Sequence, residues 1–233
     1  LGRVLIEAGL PAGVLNIVVS SQDDATDPLL RDGRVRKLTF TGSTEVGAKL
    51  MAQSAPTIKK VSLELGGNAP FIVFEDADLD AAVQGAMICK YRNTGQTCVC
   101  ANRLLVQDSI YDEFAAKLKL AVGKLKVGNG VEEGVTQGPL INTAALHKVE
   151  EHIADALRRG ANVVAGGSRH PLGGNFFQPT ILGDVSPQAA IFREETFGPV
   201  APLFRFKAEH EAIALANDSE FGLAAYFYSR DIG

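Results

Sequence analysis

The stretch Lys37-Leu38-Thr39-Phe40-Thr41-Gly42-Ser43-Thr44-Glu45-Val46-Gly47 decides the fold. Residues 37–41 read as a strand and residues 44–54 as a helix, with Gly42-Ser43 as the turn between them. A second strand follows at 60–65. Upstream, residues 14–19 read as a strand and 23–31 as a helix. The result is a β-α-β-α-β run, the form of half a dinucleotide-binding domain. The free N–H groups and positive dipole end of the 44–54 helix suit a pyrophosphate. The turn is not a G-x-G-x-x-G fingerprint, however, and Ser43 is also a sound N-cap that needs no ligand.

Beyond Gly66-Gly67 the pattern restarts. Strands are expected at 71–74, 104–107, 163–164, 179–182, 201–206 and 225–229. Helices are expected at 79–91, 110–125, 143–159 and 209–217. Asp78 is the N-cap of the first of these helices and Gly160 the residue just past the third. Alternating strands and helices predict an α/β fold with a parallel or mixed sheet. The domain boundary falls at the glycine pair, giving residues 1–66 and 67–233.

The chain has 233 residues, 46% of them hydrophobic and 21% charged, with a net charge of -4. This is globular composition without the basic runs that nucleic acid or an anionic membrane would require. No apolar stretch approaches the roughly 20 residues of a membrane span. Three cysteines do not make a disulfide framework and suit a reducing compartment such as the cytoplasm. Residues 1–9 already read as mid-helix and the chain opens on Leu1, so an internal piece of a longer protein is expected.

Three segments carry chemistry. The first is Tyr91-Arg92-Asn93-Thr94-Gly95-Gln96-Thr97-Cys98-Val99-Cys100. Cys98 follows a Gly-containing turn after a long helix, which places it in a loop. A thiol is a nucleophile only as thiolate, and nearby backbone N–H groups favour that form. The second is Glu64-Leu65-Gly66-Gly67, where a carboxylate at a strand end faces a crevice and can activate water. The third is Glu194-Glu195-Thr196-Phe197-Gly198-Pro199, an acidic-aromatic turn. Each alone has a bland reading: a packed cysteine, an exposed glutamate, a capped turn. In this order they suggest covalent chemistry on a carbonyl. Zinc is excluded, because no His stands at metal spacing from Cys89, Cys98 or Cys100. A bond between Cys98 and Cys100 would be strained and reducible.

These segments resemble the active-site segments of the aldehyde dehydrogenase family, over essentially all of the chain but only about half of a full-length relative. The resemblance implies part of a Rossmann-like cofactor domain followed by most of an α/β catalytic domain. It implies Cys98 as nucleophile and Glu64 as general base. Gly42, Ser43, Leu65, Gly66, Glu195 and Phe197 would bind NADP or NAD, with Glu195 on the nicotinamide ribose. Arg92 would grip a substrate carboxylate, which points to oxidation of succinate semialdehyde to succinate, with glutarate semialdehyde or a broader set of aldehydes as the alternative. The pair Cys98 and Cys100 resembles a redox switch. Relatives are homodimers or homotetramers. The family's oxyanion asparagine and ribose lysine find no match here, so little activity is expected of residues 1–233 alone. Two other classes remain open: a thiol hydrolase pairing Cys98 with His147, His152, His170 or His210, and a non-catalytic nucleotide-binding module.

Overall fold

A computed structural model describes residues 1–20 and 25–231. It divides into two compact units, Leu1–Leu65 and Gly66–Gly233. The break thus falls one residue before the expected one.

The first unit contains α1 (Gly2–Glu7), α2 (Thr26–Arg31), β1 (Lys37–Thr41), α3 (Thr44–Ser54) and β2 (Lys60–Glu64). β1 and β2 pair in parallel, Lys37 beside Lys60 and Thr41 beside Glu64. Their side chains alternate between exposed and half-buried, Leu38, Phe40, Val61 and Leu63 being the covered ones. The expected strand at 14–19 does not form; Val14, Ile17, Val18 and Val19 are exposed. A strand exists through hydrogen bonds to a neighbour, and among the described residues that stretch has no paired strand. Asp23 and Asp24, at the start of the expected second helix, lie outside the described residues.

The second unit holds a sheet of six strands: β3 (Ala69–Val73), β4 (Ala101–Gln107), β5 (Asn162–Ala165), β6 (Thr180–Gly183), β7 (Val200–Phe206) and β8 (Tyr226–Tyr228). Their spatial order is β5-β6-β7-β4-β3-β8. Every pair is parallel except β5 with β6. The helices are α4 (Leu79–Tyr91), α5 (Tyr111–Val122), α6 (Thr143–Arg158), α7 (Ala190–Arg193) and α8 (Glu209–Asn217). Pro70 cannot donate to the ladder, and the register between β3 and β4 shifts at that point.

Strand alternation sorts the core into two layers. Leu104 and Val106 of β4 pack with α4 and α5, through Ala82, Ala86, Phe114 and Leu118. Leu105 of β4 and Phe204 of β7 pack on the other face with α6 and α7, through Leu146, Val149, Ile153 and Phe192. Helices therefore cover both faces, the arrangement that parallel strands with continuous apolar runs require. Each fully buried Leu or Phe contributes about 1.5–3 kcal/mol.

Candidate active site

The thiol loop, the acidic turn and the last glycine of the Glu64–Gly67 segment meet for a topological reason. β3, β4 and β7 are adjacent and parallel, with Ala69 paired to Ala101 and Leu104 to Leu203. Gly67 sits just before β3, Cys98 just before β4, and Glu195–Phe197 just before β7. Each is the connection entering its strand, so all three gather at the amino end of the sheet. A Cβ on Gly67 would lie 2.0 Å from the carbonyl oxygen of Cys98. Only glycine permits that approach.

Three consecutive left-handed residues shape the loop before Cys98: Asn93 (φ 52°), Thr94 (φ 59°) and Gly95 (φ 73°). Two of them are not glycine, and such residues cost of order 1–3 kcal/mol each unless the surroundings hold them. The holding is visible. Asn93 donates its amide to the Gln96 carbonyl at 2.9 Å, and Thr94 donates its hydroxyl to the Gly138 carbonyl at 3.2 Å. Gln96 donates to the carbonyls of Asn93 and Pro139 and accepts from the Ile141 amide. A side chain on Gly95 would strike the Gly198 carbonyl oxygen at 2.1 Å, so the thiol loop and the acidic turn lie against each other. Cys98 is half-buried with a free thiol. Cys100 is buried, its thiol donating to the Lys90 carbonyl at 3.4 Å. Cys89 lies on α4, where burial pushes its thiol up from the ordinary range.

On the acidic turn, one Glu195 oxygen accepts the Gly67 amide at 3.1 Å. Burial pushes this carboxyl up from the ordinary glutamate range, opposed by the Gly67 hydrogen bond. The carboxylate accepts no other hydrogen bond among the described residues, which leaves an oxygen for a ligand hydroxyl. Phe197 is left-handed (φ 52°) and exposed. A carboxylate with a free oxygen and an exposed aromatic ring two residues apart on one turn could serve a ribose and the planar ring it carries.

In the first unit, the carboxyl ends of β1 and β2 lie side by side. The Gly42 amide donates to the Glu64 carbonyl at 3.0 Å, which places Gly42, Ser43 and Glu64 together. Ser43 caps α3, its hydroxyl accepting from the Val46 amide at 3.3 Å. The other amides of that first turn fit a phosphate. Glu64 is exposed, and Leu65, which ends the unit, packs over Gly47.

Arg92 stands at the carboxyl end of α4, exposed. Its guanidinium makes no hydrogen bond or ion pair among the described residues, so it does not cap the helix carbonyls.

The sequence reading missed the polar groups that brace this site. Lys90 is fully buried and donates to the Asn102 side chain at 2.8 Å. Asn102 in turn donates to the Gly67 carbonyl at 3.4 Å. Arg103, also fully buried, donates to the carbonyls of Asn68, Leu215 and Ala216, and burial pulls its pKa down to about 10. The signal for Lys90 was its spacing: it follows Ala82 and Ala86 on the covered face of α4. Among the described residues, no hydrogen bond joins Cys98 to a histidine, and no His, Cys, Asp and Glu group is arranged to hold a metal ion. None of their helices is long and apolar enough to cross a membrane.

A fold that gathers a thiol loop and an acidic-aromatic turn on one sheet edge has known counterparts. The family model described as "Aldehyde dehydrogenase family" matches residues 1–233, and the chain belongs to that family of oxidoreductases. It is 64% identical over 232 residues to the succinate-semialdehyde dehydrogenase [NADP(+)] GabD of Escherichia coli, covering 100% of this chain and 48% of that protein. It is 63% identical over 232 residues to a glutarate-semialdehyde dehydrogenase of Pseudomonas aeruginosa, again covering 100% of this chain and 48% of the relative. The crystal structure of an E. coli NADP-dependent enzyme superposes with a TM-score of 0.98 at 64% identity, over 99% of this chain and 48% of that one. The chain thus spans about half the length of the relatives it matches.

Proposed function

We propose that a protein of the relatives' length containing this chain oxidises succinate semialdehyde to succinate with NADP or NAD. The observation that carries this reading is the convergence of the Cys98 loop, Gly67 and the Glu195 turn at the amino ends of three adjacent parallel strands. The thiolate of Cys98 adds to the aldehyde carbon and forms a thiohemiacetal. A bound dinucleotide supplies the acceptor for the hydride that leaves that carbon. The resulting thioester is hydrolysed by water, and Glu64 takes the proton of that water. Gly42, Ser43, Leu65 and Gly66 bind the dinucleotide together with Glu195 and Phe197. Residues 1–66 are accordingly the end of a cofactor-binding domain and 67–233 a catalytic domain.

Arg92 anchors the far carboxylate of the substrate. Its exposure and its lack of a partner support this role, since a planar guanidinium takes a carboxylate with two parallel hydrogen bonds. The 63% identity to a glutarate-semialdehyde dehydrogenase supports a second reading in which the substrate is one carbon longer. With a two-electron oxidant such as hydrogen peroxide, which is reduced to water as it takes up both thiol protons, Cys100 leaves the Lys90 carbonyl and forms a Sγ–Sγ bond with Cys98 that blocks the nucleophile. The protein works as a homodimer or homotetramer in the cytoplasm, and residues 1–233 alone have little activity.

The test is dinucleotide reduction by the full-length protein with succinate and glutarate semialdehydes and an uncharged aldehyde. Cys98→Ala is expected to lose more than about 10³-fold in turnover while still binding dinucleotide. Arg92→Leu is expected to lose activity on the two carboxylated aldehydes only. Unchanged turnover in Cys98→Ala would sink the mechanism. Equal losses on all aldehydes in Arg92→Leu would remove the anchor.

A further inference from the structure

His152 lies on the inward face of α6 beside Val149 and Ile153, 3% exposed. Both of its ring nitrogens are engaged. Nδ1 is 3.1 Å from the Thr196 hydroxyl, and Nε2 is 3.2 Å from a Glu194 carboxylate oxygen. Glu194 and Thr196 are the two neighbours of Glu195 in the chain. Burial disfavours the charged imidazole. In the neutral ring Nε2–H donates to the Glu194 carboxylate, which can only accept, and Nδ1 accepts from the Thr196 hydroxyl. The partners thereby fix both the tautomer and the plane of the ring.

The same helix touches the end of the turn. A Cβ on Gly198 would lie 2.5 Å from the Val149 side chain, one helical turn before His152. α6 is thus a template for residues 194–198, with His152 holding both sides of Glu195 and Val149 seating Gly198. Thr196 is 1% exposed, so a truncation at His152 would leave its hydroxyl buried and without that partner.

We propose that His152 is a positioning residue for the cofactor side of the site. By clamping Glu194 and Thr196 it sets the direction in which the Glu195 carboxylate points. The inference rests on the reading of Glu195 as a ribose ligand. It predicts a defect that falls mainly on the dinucleotide, because the Cys98 loop is also braced away from the turn, through Thr94 to Gly138 and Gln96 to Pro139 and Ile141.

The experiment compares His152→Ala, His152→Gln, Thr196→Val and Glu195→Gln in the full-length protein. NADPH binding is read by nicotinamide fluorescence, and KM is measured separately for dinucleotide and aldehyde. His152→Ala is expected to weaken NADPH binding and raise the dinucleotide KM about tenfold, as for other groups that orient a ligand's partner, with the aldehyde KM within about twofold. His152→Gln should recover part of the loss, since its amide can still donate to Glu194. Thr196→Val should show an intermediate dinucleotide defect even where His152→Ala fails to fold. Wild-type NADPH affinity in the His152 and Thr196 variants, beside a weakened Glu195→Gln, would overturn the clamp and leave the ribose reading standing. Parallel loss of dinucleotide and aldehyde binding would also overturn it, as a structural role only. Undiminished NADPH binding by Glu195→Gln would overturn the ribose reading and the clamp with it.

Discussion

The two units place their chemical turns at opposite ends of parallel strands. In the first, Gly42, Ser43 and Glu64 stand at the carboxyl ends of β1 and β2. In the second, Gly67, Cys98 and Glu195 stand at the amino ends of β3, β4 and β7. The carboxyl-end rule for open α/β sheets therefore finds the Gly42-Ser43 turn proposed for the phosphates and misses the thiol. The strands differ as well. β1 and β2 cover one side chain in two, whereas β6 and nearly all of β4 and β7 are buried on both faces. A helix start needs only a cap and free amides to receive an anion. A thiol on a strained loop needs a rigid frame to be held in one place, and the doubly covered sheet supplies it.

The largest test of this contrast is in the cores. Phe204→Ala empties a site between β7 and α7 and is expected to cost about 3–5 kcal/mol. Phe40→Ala, on the half-covered β1, is expected to cost about 1–2 kcal/mol. Denaturant unfolding, with hydrogen exchange to locate the opening, measures both. Equal costs would break the contrast.

A smaller effect separates two glycines. A methyl on Gly67 meets the Cys98 carbonyl oxygen at 2.0 Å, and backbone cannot step aside. A methyl on Gly47 meets the end of the Leu65 side chain at 2.4 Å, which can turn. Gly67→Ala is expected to destabilise by about 1–3 kcal/mol and to slow alkylation of Cys98 by iodoacetamide. Gly47→Ala, inside a helix, should stay within about 1 kcal/mol of the parent, since alanine's helix propensity offsets the shift of Leu65. Unaltered alkylation in Gly67→Ala would show that the contact does not set the thiol.

The smallest effect is one of pH. Burial raises the pKa of Glu195, so the carboxylate takes up its proton at a higher pH than an ordinary glutamate. Dinucleotide affinity should fall as pH drops through that raised value, because protonation removes both the charge and an acceptor. Stability moves the other way: a raised folded-state pKa makes burial of the charged form a cost above it, relieved as pH falls. Glu195→Gln should abolish both dependences. Binding that stays flat down to the ordinary glutamate range would refute the assignment.

Much of this was legible in the chain. β1, α3, α4 and α8 begin and end where pattern and capping residues put them, because those signals are local. Ser43 and Asp78 cap as their side chains suggest. The stretch at 14–19 misled because its composition suits a strand while pairing depends on a neighbour that composition does not supply. Lys90 escaped notice, and His152 was weighed only as a partner for Cys98, because a polar residue on an apolar face looks like an exception until its partner is known, and those partners lie on other elements.

The sequence by itself determined the family, the helix and strand alternation, and the residue types able to form a thiolate, accept a proton and grip a carboxylate. Each of these is written in a short run of neighbouring residues. Only the tertiary structure decided that Gly67, Cys98 and Glu195 share one edge, that Arg92 is left without a partner, and that His152 holds the acidic turn. Those facts depend on the order β7-β4-β3 and on the face α6 presents to the sheet, and contacts between distant segments are set by packing rather than by local pattern.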